Sequence, residues 1–265
     1  MNDQILNINF ISFALTYLLL IVVAIIMKIN KVNEGKLLVV ASVRMTVQLI
    51  LAGYILTYII KNPAWYFTAL YVSAMIIFAT FRVISKNKWL SEKFKFIVFF
   101  SIIFAGLSVL TFVLTVTVRV NILNPRYAIT IGGMIIGNTM TGLNLALKNF
   151  KELISDNDVM IETLTNIGAN PKKIMKPFID KSFETAILPT LNSMLGMGII
   201  ALPGMMTGQI LSGTIPTTAI LYQISIMISI CTSNSISVFI ALFLGSKTLW
   251  NKKNQFIFNR SNIEV

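Results

Sequence analysis

The chain has 265 residues, of which 55% are hydrophobic and only 12% charged, with a mean hydropathy of +0.78. Soluble domains carry about 25% charged residues, so this composition describes an integral membrane protein and leaves no room for a separate soluble domain. Cys231 is the only cysteine and histidine is absent, which excludes an intramolecular disulfide and a zinc or copper site of the usual ligands.

A membrane helix takes roughly 20 predominantly apolar residues. Seven such segments follow in chain order, near 5–27, 37–60, 64–84, 96–118, 127–147, 187–211 and 217–244. The N-terminal MNDQILNIN lacks the basic start and small-residue cleavage site of a secretory signal, so the first segment is expected to stay in the protein. The last two segments come from a stretch with no charge between Glu184 and Lys247, split by the Gly- and Pro-bearing SGTIP at 212–216. Of 22 Lys and Arg residues, 18 fall on the inner side if the N-terminus is outside, three (Lys61, Arg119, Arg126) fall outside, and Arg44 lies within a span. The positive-inside rule then gives an N-out, C-in topology. It also accounts for the net charge of +12 without nucleic acid.

One connection is long. Residues 148–186 read as two amphipathic helices with a turn between them. Ser155 and Asp158 suit a capping box, and Met160, Leu164 and Ile167 follow at helical spacing. Gly168 suits a helix C-terminus, Asn170 an N-cap and Pro171 the first helical position. Ile174, Met175, Phe178, Ile179 and Phe183 form a second apolar stripe. Such a pair could lie on lipid, with Lys172, Lys173 and Lys176 at anionic headgroups. It could equally seat in a groove of a cytoplasmic partner. Glu162 with Gly168 six residues on partly resembles the E-A-A-x-x-x-G loop of ABC permeases, with Thr163 and Leu164 in place of the alanines.

Polar residues inside spans mark paths or helix contacts. Arg44 and Gln48 lie one turn apart in the second segment. In the fifth, Asn138 shares a face with Thr141, Gly142 and Leu145, while Gly133 and Gly137 suit helix packing. Asn192 lies in the sixth, and Gln223 opens a polar ridge in the seventh that runs on to Asn234. In ALPGMMTGQILSG, Pro203 removes a backbone donor, Gly204 lets the chain bend, and Gln209 adds polar groups. This reads either as a broken helix lining a path or as a structural kink. All ten acids lie outside the spans, among them Asp3 and Glu264, so proton relays through intramembrane carboxylates are missing. No G-x-x-x-x-G-K-[ST] loop is present, and Gly245-Ser246-Lys247-Thr248 has the wrong spacing.

LPGMMTGQILSG at 202–213, with Pro216 and Tyr222-Gln223-Ile224 after it, resembles the hallmark of one family, the FetB-type permeases of ABC transporters. GGMIIGNTMTGLNLAL at 132–147 is similar to a second block of that family, and Arg44 with Val47-Gln48-Leu49 to its second span. The resemblance implies a single all-α permease domain over 1–265, with about seven spans and a coupling loop at about 148–186. It implies a cytoplasmic ABC ATPase subunit that binds the ATP, no cofactor in this chain, a homodimer in the cell membrane, and no nucleic acid. Bacterial members are proposed iron exporters, and plant relatives are linked to aluminium tolerance and in one case to UDP-glucose. On this reading Arg44, Gln48, Asn138, Asn192, Pro203, Gly204, Met205, Met206, Gln209 and Gln223 are candidate path residues. Glu162, Gly168, Pro171 and Lys172 are candidate coupling residues; no catalytic or metal-holding residue is expected. An ATP-independent carrier, a permease for a non-metal cargo and a membrane scaffold are the alternatives.

Overall fold

The structure is a computed structural model that describes residues 9–32, 34–251 and 255–257. Asp3, Lys252, Lys253, Arg260, Glu264 and the first residues of the 5–27 segment lie outside the described residues. The chain divides into two compact units, Met1–Asn62 and Pro63–Val265.

In the first unit, Asn9 caps α1 (Phe10–Leu15) by accepting from the Ile11 N–H. A turn at Thr16–Tyr17 leads into α2 (Leu18–Ile29). α3 (Gly35–Lys61) runs for 27 residues, about 40 Å at 1.5 Å per residue, enough to cross a hydrocarbon core of about 30 Å. The Tyr17 and Thr46 hydroxyls share a hydrogen bond of 2.5 Å. Lys31 takes φ 55° in the turn that reverses the chain after α2.

The second unit holds α4 (Trp65–Lys86), α5 (Glu92–Phe112) with a π-helical turn at Val113–Thr117, α6 (Pro125–Asp156), α7 (Asp158–Asn166), α8 (Pro171–Gly196), α9 (Gly204–Leu211) and α10 (Pro216–Ser246). No strand occurs among the described residues, only two isolated bridges. Side chains set the starts: the Ser91 hydroxyl accepts from the Phe94 N–H, and Asn124 and Asn170 cap helices whose first residues are Pro125 and Pro171. These pairings put an acceptor where the orphan amides lie and a proline where no amide is needed.

α10 packs against α5, α6 and α8, and α6 also packs against α4. The core is apolar, with Phe94, Ile102, Ile131, Leu143, Leu147 and Phe150 fully buried. Small residues let the helices close. A Cβ at Gly245 would overlap the Phe94 ring, and one at Gly142 would overlap the Asn234 carboxamide. Without a hydrophobic drive between helices in lipid, such close approaches supply the packing. Phe96, Phe100 and Phe104 of α5 remain exposed, as a lipid-facing surface requires.

Among the described residues, five helical stretches are long and apolar enough to span: Ile11–Ile29, Gly35–Lys61, Trp65–Lys86, Glu92–Thr117 and Pro216–Leu249. The fifth predicted segment lies within α6, which is longer than expected and continues to Asp156. The sixth, 187–211, is not one helix. α8 ends at Gly196, the backbone is irregular to Pro203, and α9 follows. The expected Ser155–Asp158 capping box does not form, because α6 runs through Ser155 and Asn157 stands before α7 without a side-chain cap bond. The packing of α6 against α8 sustains the helix past that signal.

Candidate translocation site

Three helices line a half-open groove of about 270 Å³ in which polar and apolar side chains mix. α6 contributes Asn138, Thr141, Gly142 and Leu145, α8 contributes Ala186, Pro189, Thr190 and Ser193, and α10 contributes Met227, Ile230 and Asn234. α8 lines it with Pro189, a proline inside the helix that offers no N–H to the Thr185 carbonyl. The Asn234 amide crosses from α10 and donates to the Ala186 carbonyl at 3.3 Å, tying α10 to α8 beside that proline.

Asn234 is 2% exposed, and its Oδ1 has no hydrogen-bond partner among the described residues. An unpaired buried acceptor costs about 1–3 kcal/mol. Here it lies against Gly142, with no surface of its own open to the groove. Behind it the Thr139 and Ser233 hydroxyls bond at 2.9 Å, and Ser237 donates to Ser101 at 3.2 Å. These buried hydroxyl pairs hold α10 to α6 and α5.

A second cleft, of about 610 Å³, opens where α4 ends beside α6. Asn87, 5% exposed, caps α4 and donates both to Val83 O at 2.8 Å and to Asn144 Oδ1 at 3.2 Å. That bond pins the α4 end to α6. Lys86 and Lys88 line one wall, and Lys148, Lys151, Glu152 and Asp156 the other. Leu145 lines both this cleft and the polar cavity.

A third cleft, of about 570 Å³, includes Gly168, Pro171 and Lys172 with Lys247 and Trp250. Its floor is the turn from α7 to α8. Gly168 has φ +82°, Ala169 N donates to Leu164 O at 2.9 Å, and Gly168 N donates to Thr165 O at 3.0 Å. This pair of bonds is a Schellman ending, and its left-handed residue favours glycine. The buried side of α7 differs from the expected Met160–Leu164–Ile167 stripe. Ile161 is fully buried and Leu164 packs on the core, while Met160 is 46% and Ile167 74% exposed, with Val159 at 70%. With Val159, Met160 and Ile161 adjacent at the start of a nine-residue helix, spacing alone left the buried side ambiguous.

Of the candidate path residues, Asn138 lines the cavity and its amide donates back to Met134 O at 2.8 Å. Asn192 lies on α8 but is exposed and outside the lining, which its neighbours Thr190 and Ser193 supply. Gln223, 6% exposed, reaches Met197 Sδ at 3.8 Å and braces the break after α8. Pro203 is the N-cap of α9, Gly204 its first residue, and Met205, Met206 and Gln209 follow on that helix, which packs on α10. Met206 is buried and Met205 packs on the core. Arg44 and Gln48 lie one turn apart on α3 in the first unit. Glu162 is exposed on α7. Asn234, Pro189 and Leu145 were not singled out as path residues. The signal for Asn234 was its place on the polar ridge of α10. Among the described residues no three of His, Cys, Asp and Glu converge as a metal site.

A helical chain with several stretches long and apolar enough to span a bilayer is a multi-pass membrane protein. The chain belongs to the uncharacterised protein family UPF0014, whose pattern matches residues 10–250. It is 30% identical to the probable iron export permease protein FetB of Escherichia coli K12, over 95% of this chain and 96% of that one. It is 28% identical to the UPF0014 membrane protein YjkA of Bacillus subtilis 168, over 93% and 98% respectively. It is also 32% identical to the UPF0014 membrane protein STAR2 of rice, over 80% and 73%. No solved structure matches the chain significantly.

Proposed function

We propose that this protein is the membrane-spanning permease subunit of an ABC transporter, exporting iron or another metal species on ATP hydrolysed by a separate cytoplasmic ATPase. In this reading the chain is one permease domain of seven spans, N-out and C-in, and works as a homodimer. α6 supplies the fifth span, and α8 with α9 the interrupted sixth.

The observation that carries the reading is the surface of α7. Val159, Met160 and Ile167 stand exposed on a short helix whose exit is fixed by Gly168 and by the Asn170 cap on Lys172 N at 3.0 Å. A rigidly held apolar helix face suits a groove in a partner. Closure of two ATPases around bound ATP would move α7, and the long helices α6 and α8 on either side would carry that motion to the cavity between them. The printed name of the E. coli relative supports iron as cargo.

The test is co-expression with the ATPase encoded beside the gene, purification through a tag on the permease, and ATP hydrolysis in vesicles with and without iron. A stable complex stimulated by iron supports the whole reading. A stable complex indifferent to iron keeps the machine and removes the cargo. Absence of a complex refutes the docking role of α7.

A further inference from the structure

We infer that the lysine-lined cleft between α4 and α6 is the cytoplasmic vestibule of the transport path, that Leu145 is the gate between it and the Asn234 cavity, and that the cargo arrives as an anion. The inference rests on the permease reading and names the substrate class of that same site.

Three observations converge. Four lysines, Lys86, Lys88, Lys148 and Lys151, share the cleft with two carboxylates, Glu152 and Asp156. Among the described residues the one ion pair inside it is loose, Lys148 to Glu152 at 3.9 Å, with both side chains largely exposed. The cleft therefore keeps an excess of positive charge, and a concave site of one sign concentrates the opposite ion. The positive-inside rule explains lysines on this side of the membrane, but not their convergence on one cleft.

The second observation is continuity. One face of α6 runs from Asn138 and Thr141 through Leu145 to Lys148 and Glu152, at steps of three and four residues that stack on a helix. Leu145 is the one apolar side chain in that row and lies on the wall of both spaces. Leu145 is half-buried between the exposed Thr141 and Lys148, and an apolar side chain that divides two polar-lined spaces can gate by excluding water. The third is the Asn87–Asn144 bond, which fixes the two walls of the cleft one residue from Leu145. A bare divalent cation would be repelled at this mouth. A metal ion held by a carboxylate or phosphate chelator would be drawn in by its negative charge.

The test needs neither the cargo nor the ATPase. In full-length protein carrying Cys231→Ser, a single reporter thiol is placed by Thr141→Cys. Sealed vesicles of each orientation are treated with an anionic sulfonate or a cationic trimethylammonium methanethiosulfonate, with each rate divided by that on a small free thiol. From the lysine side, the anionic reagent is expected to win by about tenfold, the lower end of focusing effects. Lys148→Gln with Lys151→Gln, or separately Lys86→Gln with Lys88→Gln, should bring the ratio toward one. An Ile199→Cys reporter, in the break after α8 and away from the cleft, should show no anion preference. Leu145→Ala should speed labelling at 141 several-fold and Leu145→Phe should slow it. A ratio near or below one in the parent, or labelling only from the opposite side, overturns the vestibule. Rates unmoved by both Leu145 variants overturn the gate. Loss of ATPase binding in the earlier test leaves these rates unchanged, so the two readings fail separately.

Discussion

Substituting Gly142 by alanine tests the junction on which the cavity depends. A Cβ there would overlap Cγ, Oδ1 and Nδ2 of Asn234, and Asn234, 2% exposed, has room to move only toward the groove it lines. Either α6 and α10 separate, or the carboxamide rotates and loses its bond to the Ala186 carbonyl. Overpacking of this kind costs about 1–3 kcal/mol. In a unit of this size 1 kcal/mol shifts Tm by about 2–4 °C, so Gly142→Ala should lower Tm by about 6 °C for a mid-range cost. Asn234→Ala alone should change little. It loses one interhelical bond, worth about 0.6 kcal/mol on average in membranes, and removes an unpaired buried acceptor that costs about 1–3 kcal/mol. The double variant should then match Asn234→Ala, giving a coupling energy as large as the Gly142→Ala loss itself. Unfolding in detergent, followed by tryptophan fluorescence, measures all four proteins. Gly142→Ala as stable as the parent, or a double variant no better than Gly142→Ala, would refute the contact.

Gly168→Ala forces a side chain into the left-handed region at a cost of about 1–2 kcal/mol; insertion should stay normal while ATP hydrolysis by the complex falls, and unchanged hydrolysis would remove the turn from coupling. Val159→Ser with Met160→Ser should abolish co-purification with the ATPase and leave Tm within about 1 °C, as expected where side chains are exposed; retained binding would move the docking surface off α7. Gly245→Ala should destabilise through the Phe94 ring, which is fully buried, and Phe94→Leu should restore part of the loss in the same unfolding assay. Asn138→Ala should reduce export from vesicles while leaving ATPase binding intact; unaltered export would take Asn138 out of the path.

What the sequence made legible is local. Asn170 and Pro171 begin α8, Gly168 and Gly213 end the helices before them, and Pro216 begins α10. Each signal acts within one turn, so tertiary structure had little to override. The Ser155–Asp158 signal failed because α6 is held helical by α8 along its side, a contact no local rule contains. Pro203 announced an interruption, but only its end; the break opens at Met197 and turns at Gly198, φ +83°, where the sequence shows a glycine among apolar residues. The cavity is the least local feature. Pro189 of α8 and Asn234 of α10 are 45 residues apart in the sequence, and neither alone says that both line one groove. The same holds for Leu145, an ordinary leucine on a helix until its neighbours place a lysine cleft on one side and an asparagine cavity on the other. A path through a helical bundle consists of such crossings. Helix ends are therefore written in adjacent residues, whereas the path requires knowing which faces meet.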